Sequence, residues 1–242
     1  MYDDPASSFM NEEQSDYYRD ESAVDAAAEK AAWVRGHAAA GSRLLDVGAN
    51  FGFFVKEAGT WFDARGIEPS PILAEWARTH LQVQVEAGSI YDERAEFRGR
   101  FDVVTMFDVI EHLDDPRAAL QRCREYLKPE GRLFITTPDT GSGMAGLLRG
   151  HWYYIDFVQH VSLFDSANLR RLLADTGFVV DDRRTVGRRY KLSYIERRLR
   201  ELGRAQPILR LAHAAALPLL LWPDAHIRIN LRDVMGIAAR AV

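Results

Sequence analysis

Short apolar runs alternate along this chain with stretches whose apolar positions recur at helical spacing, and glycine, proline or polar turns punctuate them. Ser22 can cap a helix from Ala23 to about Ala39, which Gly41 stops. Leu44, Leu45 and Val47 form a buried strand that ends in a glycine turn, and a helix-compatible run follows from Phe53 to about Trp61. Ala64–Glu68 predicts a second strand, closed by Pro69, and Ser70 or Pro71 opens a helix to about His80. Val83–Ala87, Phe101–Phe107 and Gly131–Thr137 predict three more strands, and Ala119, Leu120, Cys123 and Leu127 mark a helix after Pro116. Ser166 can cap a helix over Ala167–Asp175, Phe178–Thr185 reads as a sixth strand, and Val234–Ala239 as a closing one. Strands alternating with helices predict an α/β, doubly wound, mostly parallel sheet of seven strands, with ligands at its carboxyl edge.

The pattern divides the chain unevenly. Residues 1–20 are polar and acidic and predict a flexible segment, with Tyr17-Tyr18-Arg19 suited to a lid. Residues 21–186 carry the core, 187–233 a helical insertion, and 234–242 the closing strand of the core. Tyr190–Arg204 is basic and amphipathic, and Pro207–Trp222 is nearly apolar, so the insertion could wall a substrate site, form a homodimer interface or make a peripheral membrane contact. Burial in a dimer or core is preferred.

Composition narrows this picture. The chain has 242 residues, 47% of them apolar, enough for a sizeable core. A net charge of −4 provides no basic field for nucleic acid, and no groove pattern of basic and aromatic residues replaces one. The single cysteine, Cys123, lies in a helical pattern, excludes an internal disulfide and fits a reducing, cytoplasmic setting as a buried thiol. The N-terminus does not read as a signal peptide, and no apolar run approaches the roughly 18–20 residues of a spanning helix.

Candidate chemistry centres on RLLDVGANFGFF, Arg43–Phe54. A strand that turns on glycines into a helix offers backbone N–H groups and a positive dipole end to a ligand. Asp46 can accept a hydrogen bond or pair with a cation. The spacing is D-x-G-x-x-x-G, and Asn50 stands where a dinucleotide fingerprint needs its second glycine, which argues against a nicotinamide dehydrogenase. Glu68 lies about 20 residues beyond the loop, where an acid accepts both protons of a ribose diol. Asp108-x-x-Glu111-His112 follows the fourth strand, and His160 falls in an aromatic stretch with Trp152, Tyr153 and Tyr154. Two carboxylates and two imidazoles could hold a divalent metal such as Mg, His112 or His160 could act as a general base, or the group could tie the loop to the next helix. The aromatics could stack on a substrate ring or pack on the core.

LLDVGANFGFF, GIEPS, FDVVTMFDVIEHLDDP and LKPEGRLFITTP resemble, in order and spacing, the class I S-adenosylmethionine-dependent methyltransferases. The resemblance runs over about residues 20–186, and is nearest to the branch of ubiquinone-biosynthesis O-methyltransferases and sugar and natural-product methyltransferases. It implies a Rossmann-like methyltransferase fold and S-adenosyl-L-methionine as cofactor. Asp46, Gly48 and Gly52 would hold the methionine part, with Asn50 and Phe53 beside them. Glu68 and Pro69 would lie at the ribose, Ser89 and Ile90 at adenine, and Phe107 and Asp108 near the reacting methyl. Ser89 departs from the Asp or Glu usual there. Some relatives use an E-x-x-E-H group for metal, in which Asp108 here replaces the first Glu, so Asp108, Glu111, His112 and His160 are the metal candidates. His112, His160 and Glu111 are the catalytic candidates. The implied acceptor is a small hydroxylated molecule, a sugar, phenol or quinone precursor. A non-catalytic cofactor-binding or scaffold protein is the alternative, against which retained Asp46, Glu68, Glu111 and His112 argue.

Overall fold

The computed structural model describes residues 21–155, 160–205, 221–222 and 225–242. Its elements in chain order are α1 (Glu21–Arg35), β1 (Arg43–Val47), α2 (Phe53–Ala58), β2 (Asp63–Glu68), α3 (Pro71–Trp76), β3 (Val85–Ala87), β4 (Phe101–Phe107), α4 (Pro116–Tyr126) and β5 (Leu127–Pro138). They continue with α5 (Gly143–Leu148), α6 (Ser166–Asp175), β6 (Phe178–Thr185), β7 (Arg188–Lys191), α7 (Leu192–Ala205), β8 (His226–Ile229) and β9 (Val234–Ala241). Seven strands form one sheet in the order β3-β2-β1-β4-β5-β9-β6. All pairings are parallel except those of β9, which runs antiparallel between β5 and β6. This is the mostly parallel, doubly wound sheet that the strand and helix alternation implied.

The core follows from side-chain alternation along the strands. Leu45, Val104, Met106, Leu133, Ile135 and Ile237 enter one buried cluster with α4 and α6. Their neighbours Leu44, Val103, Phe107, Phe134 and Ala238 enter the other, with Ala31, Trp33 and Val34 of α1 and Phe54 of α2. Cys123 is fully buried in the first cluster, and burial pushes its thiol up to about 12. Apolar positions that alternate between faces of one strand therefore require helices on both sides.

Several boundaries differ from the sequence expectation for local reasons. Asp165, not Ser166, caps α6: its carboxylate accepts from Ala167 and Asn168 N–H, and the Asn168 side chain accepts from Asp165 N–H. The helix after Ser70 ends at Trp76, and a wider turn over Ala77–Leu81 closes on Gln82 at φ +58°. Trp152 and Tyr154 are buried with Ala145, Leu148 and Val234, so these two aromatics pack rather than stand open.

Between β6 and β9 the chain builds a second, two-stranded ribbon. β7 and β8 pair antiparallel from Arg188↔Ile229 to Lys191↔His226, and Leu192 N–H closes on Ala225 C=O at 2.9 Å. α7 springs from β7. Most of the apolar run Pro207–Trp222 and the tail over 1–20 fall outside the described residues. Among the described residues no helix is long and apolar enough to cross a membrane.

Candidate active site

The glycine loop leaves β1 at the carboxyl edge of the sheet. Gly48 and Gly52 have φ of +75° and +78°, and Asn50 also lies in the left-handed region at +50°. A Cβ on Gly48 would lie 2.5 Å from Val109 Cγ2. The N–H groups of Gly48 and Ala49 donate to Ile67 C=O at 2.9 and 3.0 Å, which ties the loop to β2. Glu68, at the end of β2, accepts from Asn50 N–H at 2.8 Å and from Ser70 N–H at 2.9 Å. One carboxylate thus joins the glycine loop to the start of α3. Burial raises its pKa, and those two N–H groups oppose the rise.

Asp46 is 4% exposed and accepts from the Thr105 hydroxyl of β4 at 2.6 Å. Burial pushes its carboxyl up to about 7, against the pull of that hydrogen bond and of Lys30. Beside it opens a cavity of about 220 Å³. Asp46, Gly48, Asn50, Phe53, Phe107 and Asp108 line it, with α1 and the stretch Arg184–Arg189 opposite the loop. Gly52, Glu68, Pro69, Ser89 and Ile90 are not among its lining residues. Ile90 is a core side chain, and Ser89 N–H donates to Asp92 Oδ2 at 2.7 Å.

Asp108 follows β4 at φ +60°, and its N–H donates to Thr136 C=O at 2.9 Å. Lys30 Nζ of α1 meets its Oδ2 at 3.0 Å, Arg188 Nη2 of β7 meets its Oδ1 at 2.8 Å, and the Thr136 hydroxyl donates to Oδ1 at 3.1 Å. Burial opposes ionisation, but the two cations prevail and hold this carboxyl well below the usual range. Lys30 Nζ also lies 5.1 Å from the centre of the Phe107 ring. Neither Lys30 nor Arg188 stands out in sequence: one sits in an alanine-rich helix, the other 80 residues beyond Asp108.

One turn further along, Glu111 is buried and accepts from the Thr137 hydroxyl at 3.0 Å. Burial, and then the charge of Asp108, push its carboxyl up to about 8. The rings of His112 and His160 are 4.8 Å apart. His160 Nδ1 lies 2.7 Å from Tyr154 C=O, so Nδ1–H is the donor, which in a neutral ring leaves the lone pair on Nε2. Glu111, His112 and His160 can each present one ligand atom within 4.8 Å of the others. Asp108 is not part of that group, its oxygens being engaged by Lys30, Arg188 and Thr136.

A seven-stranded sheet with its last strand reversed, and a glycine loop, Asp46 and Glu68 at the carboxyl edge, define the class I S-adenosylmethionine-dependent methyltransferase architecture. The model of a methyltransferase domain matches residues 16–182, and the chain belongs to that family. A ubiquinone biosynthesis O-methyltransferase of Xanthomonas oryzae pv. oryzae is 34% identical over 142 residues, 51% of this chain and 59% of the relative. That of Xanthomonas axonopodis pv. citri is 38% identical over 104 residues, 40% of this chain and 44% of the relative. The chain thus spans about half the length of the curated relatives it matches. A Thermotoga maritima structure described as a possible histamine N-methyltransferase superposes with a TM-score of 0.61 at 18% identity, over 96% of this chain and 95% of that one. That likeness concerns the fold.

Proposed function

We propose that this chain is an S-adenosylmethionine-dependent methyltransferase acting on a hydroxyl of a small molecule such as a sugar, phenol or quinone precursor. The observation that carries the reading is the cavity beside the glycine loop, which joins Asp46 and Asp108. Glu111, His112 and His160 do not line it, and their link to it is Asp108, whose charge acts on the Glu111 carboxyl. The residues suit the cofactor. Asp46 and the loop backbone of Gly48 and Asn50 would take its methionine end, and Glu68 retains lone pairs for ribose hydroxyls beyond the two N–H groups it accepts. Phe53, Phe54, Phe107 and Trp33 around the cavity favour a cation. When bound, S-adenosylmethionine supplies a methyl group activated by a sulfonium.

The protein's own work is then to align the acceptor and take its proton. His160 is suited to be the base, since its Nδ1–H is spent on Tyr154 C=O and Nε2 can accept. Glu111, held by Thr137, stands close to both imidazoles, and its carboxyl, raised to about 8, would have to ionise to balance an imidazolium there. A second reading rests on the same closeness: Glu111, His112 and His160 could hold Mg or another divalent ion that lowers the pKa of the acceptor hydroxyl. The relatives named as ubiquinone biosynthesis O-methyltransferases support oxygen as the nucleophile over nitrogen.

Calorimetric titration of S-adenosylhomocysteine tests the cofactor, and a screen of sugars and phenols for methyl transfer tests the acceptor. Micromolar binding and turnover with a hydroxylated acceptor are expected. Binding without any turnover across the screen would favour the scaffold alternative. Methyl transfer that persists after exhaustive chelation sets the metal reading aside, and loss restored by Mg adopts it.

A further inference from the structure

One wall of the cavity is rich in arginine. Residues Arg184–Arg189 form one continuous stretch of its wall. They run from the end of β6 through Val186 and Gly187 into β7, and β6 is the sheet edge farthest from the β3, β2 and β1 half that carries Glu68 and the glycine loop. Two of the cations around the cavity have a carboxylate of their own: Arg189 pairs with Asp25, and Arg228 with Glu29. Lys30 and Arg188 share one, Asp108. Among the described residues Arg184 pairs with no carboxylate. Asp46 also lines the cavity and interacts with Lys30, so these five cations face four carboxylates, and the excess is the one charge of Arg184, whose side chain is exposed.

Arg184 is nonetheless held in place. Its guanidinium carbon lies 5.1 Å from the Trp33 ring centre. Trp33 is itself fixed, because its indole N–H donates to Asp182 Oδ2 at 3.0 Å. Gly236 of β9 leaves room for both: a Cβ there would meet Arg184 Cγ and Trp33 at 3.0 Å. An arginine held over an indole by cation–π attraction keeps its fork of N–H donors for a partner, and that fork suits two oxygens of one group. Arg188 is anchored comparably, by Asp108 on one side and over the Tyr154 ring at 5.4 Å on the other.

We propose that Arg184, with Arg188 on the same cavity wall, binds an oxyanion on the methyl acceptor, so that the substrate is a hydroxylated molecule carrying a carboxylate or a phosphate. This rests on the cavity being a methyltransferase site. The oxyanion anchors the acceptor at the β6 edge, and its hydroxyl is then directed back toward Asp108 and the Glu111, His112 and His160 group. The rival ligand for Arg184 is the cofactor's own methionine carboxylate, and one variant separates the two.

The experiment is calorimetric titration of protein first saturated with S-adenosylhomocysteine. The probes are phenyl phosphate and benzoate, with phenol as the neutral control, against wild type, Arg184→Gln and Arg184→Lys. At least one anion should bind wild type well above phenol. Arg184→Gln should weaken that anion about tenfold, the scale of a lost charge-assisted hydrogen bond, and Arg184→Lys should recover part of it. S-adenosylhomocysteine affinity should be the same in all three. Phenyl phosphate alone binding points to a phosphate acceptor, and benzoate alone to a carboxylate. Anions that bind no better than phenol overturn the proposal. So does an Arg184→Gln variant that loses affinity for S-adenosylhomocysteine instead, since Arg184 then holds the methionine carboxylate. Wild type that takes up no S-adenosylhomocysteine fails before any anion is added, which marks the failure as that of the cofactor reading and removes this inference with it.

Discussion

Gly48 has no room for a side chain and no ordinary backbone angle. With φ at +75° and a built Cβ 2.5 Å from Val109, Gly48→Ala forces either the loop or Val109 to move. S-adenosylhomocysteine affinity should fall by at least an order of magnitude by calorimetry while the sheet still melts cooperatively. Unchanged affinity would remove the loop from the cofactor site. Glu68→Gln keeps the shape but turns an amide N–H toward a backbone N–H, at Asn50 or at Ser70. A cost of about 1–3 kcal/mol in cofactor affinity is expected, the range for a hydrogen bond to a charged group. Asp46 gives a pH signature. Its folded pKa of about 7 lies above the ordinary 3.8, so the folded protein holds the extra proton between those values. Its contribution to stability is full below the lower value and is lost as pH rises through the upper one. A cationic ligand favours the carboxylate, so binding near pH 7 should release a proton, and affinity should rise with pH through about 7. Titrations in buffers of different ionisation enthalpy read that proton directly, and Asp46→Asn should abolish it. Asp46, Gly48 and Glu68 were legible as residues because a glycine turn and an acid at fixed spacing are local signals. The partners that set their charge were not: Thr105 reaches Asp46 only once β4 lies beside β1, and Lys30 only once α1 packs on the sheet.

α1 and the β7–β8 ribbon show the same limit between elements. Arg189 and Arg228 are directly opposed across the ribbon, a like-charge pairing that is unfavourable alone. α1 answers it with Asp25 and Glu29, one helical turn apart, which take one arginine each. Asp25 and Glu29 thus clasp a ribbon that follows them by more than 150 residues, a partnership no local pattern announces. The same α1 face carries Lys30 to Asp108 and Trp33 to Arg184. Because α1 and the ribbon both wall the cavity, the clasp should slow exchange of ligand. Asp25→Asn with Glu29→Gln should speed S-adenosylhomocysteine release several-fold in stopped flow, and high salt should do so in wild type. Exposed pairs are weak and screened, the screening length falling from about 8 Å at 0.15 M to about 3 Å at 1 M. Equal release rates in the variant and wild type would show that the clasp does not gate the cavity.

At the scale of the whole molecule, the hydrophobic pattern carried the sheet and left the insertion undetermined. Alternating strands and helices imply a parallel sheet with its site at the carboxyl edge, and β9 entering antiparallel beside β5 completes it. Nothing periodic in Gly187–Arg232 announces that its two ends pair with each other, because β7 and β8 have only four residues apiece. That pairing makes the insertion separable in principle: Lys191 lies opposite His226, so a hairpin turn could join them. We propose replacing residues 192–225 with Asn-Gly, whose left-handed preference suits a two-residue turn. The seven-stranded sheet should persist, since β6 and β9 hold each other from Phe178↔Ala241 to Thr185↔Met235 without the insertion. Arg188, Arg189 and Arg228 stay on the ribbon, so S-adenosylhomocysteine should bind within a few-fold of wild type. If the removed residues cover the acceptor or join two copies, turnover or oligomeric state by light scattering should change while cofactor affinity does not. A deletion that unfolds the sheet or abolishes cofactor binding would instead make 192–225 an integral part of the core, through the buried Leu192 and Glu196 at the base of α7.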